Sequence, residues 1–333
     1  WVRKTSDRRF AGQTDYTMKI LVITPVRHIE GLADTLESLG EVTYLDAPTV
    51  EDLQPHLQSA EVIFTNPNKS NIYLGQDVLD GAGALKIICT ASTGTNHIDL
   101  VYAERRGFKV IAMTEEREII NRISSTAELA FALTMAALRH VPKSFDAVKR
   151  GEWDYTKYIG RQMNSLTVGV VGYGRLGSMY AGYCEAFGSK VLICDPYKTV
   201  ENDRWEQVDK DRIIAESDII SLHVHVTEET TGMVDQSWFQ GMKPSVILVN
   251  SARGDVVVEA DAIAFLKQNP KAILATDVIA DEVRSKSGNP LIEYACEHDN
   301  IIVTPHIGGM TVEGQSIAYT GAAMRLGEYL ASI

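Results

Sequence analysis

The chain has 333 residues, with 32 Lys and Arg against 44 Asp and Glu for a formal net charge of −12, and 45% of its residues are apolar. That composition describes an ordered, soluble protein of about two domains. The acidic balance argues against a general role on nucleic acid or on an anionic membrane surface, which leaves small-molecule chemistry as the better expectation.

Residues 1–17 begin with Trp1 and carry Arg3, Lys4, Arg8 and Arg9 without the apolar stretch of a signal peptide. They read as a leader or expression remnant ahead of a fold that starts at Met18; a short ordered arm packing on the body or on a partner is the other reading. From there, β-rich apolar runs at 20–24, 42–45, 62–65, 86–90 and 110–112 alternate with helical patterns at 31–39, 50–58 and 100–106. Gly107 follows the last of these as a helix-ending residue. Such alternation implies parallel sheet built from βαβ units.

A longer helix is expected from Ser125, whose hydroxyl would cap the backbone while Glu128 reaches back in a capping box. It continues through Leu129, Leu133, Met135 and Leu138 and should stop near Pro142. A second series of strands follows at 166–171, 190–194, 219–224, 246–250, 272–276 and 301–304, which suits a doubly wound sheet. Only one helix, 311–331, remains after that, so it is expected to return and pack on the first domain. The resulting division is 18–117 with 308–333 as one domain and 118–307 as the other. No apolar run approaches the ~20 residues that cross a bilayer.

Cys89, Cys184, Cys194 and Cys296 are widely spaced and form no CxxC pair. Neither a disulfide framework nor a zinc site is indicated, and free thiols in a reducing cytoplasm fit best.

The first chemistry-bearing motif is Gly172, Gly174 and Gly177 in Gly-x-Gly-x-x-Gly spacing, directly after a strand and at the start of a helix. Glycine there permits a tight turn, close approach of backbone to a pyrophosphate and close helix packing, with the helix N-terminus facing the anion. Asp195 ends the next strand, eighteen positions beyond Gly177. A carboxylate there accepts from ribose hydroxyls and repels a 2′-phosphate, selecting NAD over NADP.

Ligands sit at the carboxyl edge of an open parallel sheet, and three polar residues follow strands there: Arg253, Glu282 and His306. Reducing a 2-keto acid needs hydride from the nicotinamide, a proton for the forming alkoxide and a fixed cation for the carboxylate. His306 suits the proton transfer, Glu282 would orient its ring, and Arg253 offers a planar fork to the substrate.

The runs from Val249 to Gly254, from Thr276 to Val278 with Glu282, and from Thr304 to Gly309 resemble the NAD-dependent D-2-hydroxyacid dehydrogenase family, from Met18 to the C-terminus. The nearest subgroup resemblance is to the D-3-phosphoglycerate dehydrogenases, through Thr93, Gly94, Thr95 and Asn96 and the run from His306 to Gly309. The resemblance implies two doubly wound parallel-sheet α/β domains, a Rossmann NAD domain and a flavodoxin-like substrate domain, with a cleft between them. It implies His306 as acid/base, Glu282 as its partner and Arg253 as substrate cation. Asp277 would meet the nicotinamide carboxamide, and Arg175 and Leu176 would lie against the pyrophosphate through their backbone. Val224, His225, Ser251, Ala252, Gly308 and Gly309 complete the implied cofactor contacts. Ser92, Thr93, Gly94 and Asn96 would contact the substrate carboxylate.

Two positions depart from the family pattern: His225 stands where proline is usual, and Met310 follows the Gly308 and Gly309 pair. A phosphorylated substrate needs a further cation, for which Lys69 is the candidate, although a solvated loop lysine is the plainer reading. The chain ends soon after its last helix, so a C-terminal regulatory domain is not expected. By analogy the helix at Ser125 builds a homodimer interface. The expected function is interconversion of a D-2-hydroxy acid and its 2-keto acid with NAD, extended by the subgroup resemblance to D-3-phosphoglycerate. An NAD(H)-sensing, corepressor-like binding protein on the same fold is the alternative. Oxidation of a one-carbon anion is disfavoured by Glu282.

Overall fold

The computed structural model describes residues 17–67, 72–282 and 288–333. The leader reading, apart from Thr17, and Lys69 lie outside the described residues. The chain divides into two compact units, one of residues up to Glu115 with Ala318–Ile333, the other Glu116–Ile317. Residues 308–317, grouped above with the first domain, fall in the second unit.

In the first unit, strands β1 (Met18–Val22), β2 (Gly40–Tyr44), β3 (Val62–Thr65), β4 (Ile87–Thr90) and β5 (Lys109–Ile111) form one parallel sheet in the order β2-β1-β3-β4-β5. This is the flavodoxin-like order. β3 and β4 are buried along their whole length, which is why they read as unbroken apolar runs rather than alternating ones. β1 and β2 begin two residues earlier than expected, because Met18 pairs with Gly40. A Cβ at Gly40 would sit 2.2 Å from the Met18 carbonyl oxygen, so glycine is what lets the pairing extend that far.

The terminal helix Val312–Ser332 supplies Tyr319 and Ala322 to this unit. The Thr24 and Tyr319 hydroxyls are 3.2 Å apart, and the Cys89 thiol donates to the Ala322 carbonyl at 3.5 Å. The helix returns as expected over the span from Ala318 onward.

The second unit holds β6 (Thr167–Val171), β7 (Lys190–Cys194), β8 (Glu206–Gln207), β9 (Ile219–Leu222), β10 (Ile247–Asn250), β11 (Ile273–Thr276) and β12 (Ile301–Val303), all parallel, in the order β12-β11-β10-β9-β6-β7-β8. One face buries Leu192, Ile220, Leu248 and Leu274, the other Val168, Val191, Ile247 and Ile273. Both faces are therefore core, as helix-covered parallel sheet requires. β8 is a seventh strand that the sequence hides: its two residues are polar and exposed, and only their pairing with Leu192 and Ile193 makes them a strand.

The helix expected to open at Ser125 does so and runs Ser125–Leu138, but no capping box forms. Ser124 is the cap, and its backbone is already helical (φ −98°, ψ −15°), which turns its hydroxyl away from the first-turn amides and onto the Glu128 carboxylate. Pro142 does not end this helix; it sits in the first turn of the next, Val141–Lys149, where its missing N–H costs nothing. No helix among the described residues is long and apolar enough to cross a membrane.

Candidate functional site

Strand order reverses at β6, which lies between β7 and β9, and the loops at such a switch point form the natural ligand crevice. Gly172 follows β6 with φ +96°, a conformation side chains resist. A Cβ there would stand 2.6 Å from the His223 carbonyl oxygen, and one at Gly177 would stand 2.0 Å from the Gly172 oxygen. These two glycines are demanded by packing of turn, helix and β9 loop. Gly174 differs, because a Cβ there would meet nothing within 4 Å. It leaves open space at the N-terminus of the helix Arg175–Ala186. The Arg175 side chain turns away to donate to the Ile123 carbonyl.

Asp195 follows β7 and accepts the Tyr173 amide at 2.7 Å and the Tyr197 amide at 2.9 Å, which anchors one carboxylate beside the glycine turn. Across β6, Val224 approaches the turn closely enough that a Cβ on Gly172 would lie 3.0 Å from it. His225 is exposed, keeps an ordinary trans backbone, and accepts the Thr230 hydroxyl at its carbonyl at 2.6 Å. Partial desolvation first, then Arg253, Arg117 and Lys198, hold its imidazole below the usual histidine range.

Three adjacent strands, β10, β11 and β12, are followed by Arg253, Glu282 and His306. After β12, His306 takes φ +55°, and its Nδ1 lies 2.5 Å from Glu282 Oε1. Both side chains are mostly buried, at 23% and 13% exposure, so their pairing is little screened by water. After β10, Arg253 donates to the Ala252 carbonyl at 2.7 Å. Burial presses its guanidinium down from the usual range, opposed by the charges of Glu282 and Asp255. Ala252 is tied by its amide to Asn250 Oδ1 at 3.0 Å, while the buried Ser251 hydroxyl has no hydrogen-bond partner within the described protein.

Asp277, expected to meet the nicotinamide carboxamide, braces the loop that carries His306. Its carboxylate accepts the Thr304 hydroxyl at 2.5 Å, the Ile307 amide at 2.9 Å and the Gly308 amide at 2.8 Å. Its carbonyl accepts the His306 amide at 2.9 Å. These bonds hold His306 in its left-handed backbone conformation, which costs a non-glycine residue ~1 kcal/mol or more if unsupported. Burial raises the Asp277 carboxyl above the usual range, against these hydrogen bonds and the His306 charge. Gly309 follows this loop, and Met310 is exposed.

In the first unit, the loop after β4 is braced internally: the Gly94 amide donates to Ser92 Oγ at 3.0 Å, and the Thr114 hydroxyl to the Thr93 carbonyl at 2.6 Å. Thr93 and Asn96 are exposed.

Two contributors were not legible beforehand. Arg117 faces Arg175 and His225 from the stretch before Ser125, and no motif marks it. His223 packs beneath the glycine turn, its ring 5.0 Å from that of Tyr180 and its Nε2 2.9 Å from Ser221 Oγ. Burial lowers its imidazole to about 3. Because the unfolded histidine titrates near ~6.5, only the unfolded state gains the proton between these values. Stability from this site is complete above pH ~6.5 and falls as pH drops, by about 2–3 kcal/mol at pH ~4.5. His223→Gln should flatten the melting-temperature profile between these pH values. Parallel profiles for the two proteins would remove His223 as the cause.

Comparison with known proteins fits this geometry. The chain matches the D-isomer specific 2-hydroxyacid dehydrogenase, NAD binding domain, over residues 131–308. It is 36% identical over 304 residues to a D-3-phosphoglycerate dehydrogenase of Archaeoglobus fulgidus, covering 90% of this chain and 54% of the other. The chain thus spans about half the length of the D-3-phosphoglycerate dehydrogenases it is similar to. A hydroxypyruvate reductase of Thermotoga maritima is 30% identical over 293 residues, covering 85% of this chain and 92% of its own. Among solved structures, D-lactate dehydrogenase from Aquifex aeolicus complexed with NAD and lactic acid aligns with a TM-score of 0.80 at 28% identity, covering 94% of this chain and 96% of that one. With its parallel-sheet NAD-binding domain and the glycine turn at the sheet's switch point, the chain belongs to the D-isomer specific 2-hydroxyacid dehydrogenase family.

Proposed function

We propose that the protein interconverts a D-2-hydroxy acid and its 2-keto acid with NAD. The observation that carries this reading is the mostly buried His306 and Glu282 pair, with the Arg253 guanidinium coupled to the same carboxylate. The residues at the switch point suit the dinucleotide. Gly174 leaves room over a helix N-terminus, Asp195 stands at the end of β7 for ribose hydroxyls, and the unpartnered Ser251 hydroxyl is a polar atom in want of a bond. When bound, the dinucleotide would supply the hydride acceptor for the alcohol carbon as NAD and, in the reverse direction, the hydride donor as NADH.

The chain's own groups do the rest. Glu282 accepts the Nδ1 hydrogen of His306, which leaves Nε2 to take the hydroxyl proton during oxidation or to return it to the oxygen during reduction. Glu282 also stabilises the imidazolium that results. Arg253 offers its fork to the substrate carboxylate and carbonyl, and Asp277 keeps the His306 loop in place.

The names of the relatives support D-3-phosphoglycerate or hydroxypyruvate as members of the substrate class to test first. NADH oxidation with phosphorylated and unphosphorylated 2-keto acids is expected to show turnover on part of the panel. If a phosphorylated acid is preferred, Lys69→Ala should weaken that member selectively. NADH binding with no turnover across the panel would replace this reading with the NAD(H)-sensing one.

Exposed apolar side chains at Val141, Phe145, Val148 and Trp153 support a homodimer. The helix Ser125–Leu138 is itself largely committed to its own core. Sedimentation across a concentration series checks this. Free thiols at all four cysteines support a cytoplasmic location.

A further inference from the structure

We propose that Glu229, held in place by Tyr197, is a second carboxylate beside Asp195 that sets the preference against a 2′-phosphorylated dinucleotide. This rests on the dinucleotide reading above.

Asp195 alone is the obvious discriminator, but both its oxygens already accept backbone amides, from Tyr173 and Tyr197. The turn that carries Tyr197 is itself pinned, because Gln207 Nε2 donates to the carbonyls of Asp195 at 3.2 Å and Lys198 at 2.7 Å. From this fixed turn the Tyr197 hydroxyl donates to Glu229 Oε2. Glu229 lies in the loop after β9, and β9 and β7 flank β6 on opposite sides, about 10 Å apart by strand spacing. The Tyr197 to Glu229 bond therefore links the two loops on either side of the glycine turn.

Glu229 is exposed, but the loop that carries it is braced. Its loop is bonded to itself: the Thr227 amide donates to Thr230 Oγ1 at 2.8 Å, the Thr230 hydroxyl to the His225 carbonyl at 2.6 Å, and the Thr231 hydroxyl to the Thr227 carbonyl at 2.7 Å. Both Glu229 and Asp195 act electrostatically on the Tyr197 hydroxyl and raise its titration above the usual tyrosine range. Lys198 supplies one positive charge on the same turn, and it faces His225. A ribose whose hydroxyls meet Asp195 would thus have a second carboxylate on the neighbouring loop, tied by Tyr197. A 2′-phosphate would bring about −1.5 to −2 charges into that field.

The test is the dissociation constant of the 333-residue chain for NADH and for NADPH, measured by calorimetric titration at low and at high salt. The wild type is expected to prefer NADH. Glu229→Gln keeps an acceptor for Tyr197 and removes the charge, so it should tighten NADPH about fivefold and move NADH by less than about twofold. Tyr197→Phe frees the carboxylate and should give a smaller gain in the same direction. Both gains should shrink at high salt. A Glu229→Gln protein with wild-type melting temperature and an unchanged NADPH to NADH ratio would overturn the role of Glu229. Failure of the wild type to bind either dinucleotide would instead overturn the cofactor reading beneath it.

Discussion

Replacing His306 with alanine is expected to lower turnover of the accepted 2-keto acid by about 10²–10⁴-fold, the usual contribution of a positioned acid/base group, while NADH still binds. His306 meets Glu282 through Nδ1 at 2.5 Å, which leaves its other ring nitrogen free for the proposed proton transfer. None of the residues proposed around the ribose or pyrophosphate depends on that ring for a hydrogen bond. Glu282→Gln should fall between wild type and His306→Ala, because the amide still holds the ring but no longer balances its positive charge. Steady-state rates and NADH dissociation constants on the same preparations check this. Near-normal turnover in His306→Ala would defeat the proposed role, and loss of NADH binding would mean that the substitution disturbs more than the proton carrier.

Gly254→Ala is expected to be among the most damaging single substitutions in the protein. A Cβ at that position would fall 1.9 Å from the Ile279 carbonyl carbon, 2.1 Å from its oxygen and 2.2 Å from the Ala280 nitrogen. All three are backbone atoms, so no rotamer change relieves the clash, and the two loops must move apart. One loop carries Arg253 and the other leads directly to Glu282. The cost should exceed ~3 kcal/mol, the upper range for overpacking, or about 10 °C in melting temperature for a unit of this size. Gly182→Ala is the matching control: it sits inside the helix Arg175–Ala186 with nothing within 4 Å of a Cβ. It should stabilise by about 1 kcal/mol through helix propensity. Thermal unfolding of the two variants separates them, and a Gly254→Ala protein that melts with the wild type would refute the close approach.

The Gly254 contact also shows where the sequence stops being informative. A glycine next to the candidate Arg253 is visible in the chain, and so is its membership of a recognisable run. Nothing local says that its missing side chain is needed because a peptide 25 residues away passes there. The same holds for Asp277. The family resemblance implies a cofactor contact for it, but nothing local says that its carboxylate also gathers Thr304, Ile307 and Gly308 from the loop beyond β12.

Local pattern sufficed wherever burial alone writes the sequence. Strands covered by helices on both faces must be apolar throughout, so all but one of the strands could be placed within two residues, and the glycine turn was legible because a strand, a turn and a helix follow one another without interruption. Two-residue β8 escaped because its strand character comes from pairing with Leu192 and Ile193 and not from its own exposed Glu206 and Gln207. Ser124 rather than Ser125 stands at the cap position, and its hydroxyl bonds Glu128 instead of a first-turn amide, because its backbone angle, which two adjacent serines do not distinguish, turns it that way. By itself, then, the sequence determined which faces are buried, the parallel α/β class and the residues able to move a proton or hold an anion, since these follow from periodicity and side-chain chemistry. Tertiary structure alone decided contacts that no motif marks: Asp277 with the 304–308 loop, Gly254 with the Ile279 peptide, and Tyr197 with Glu229. Those distances are set by how strands far apart in the chain are ordered within a sheet.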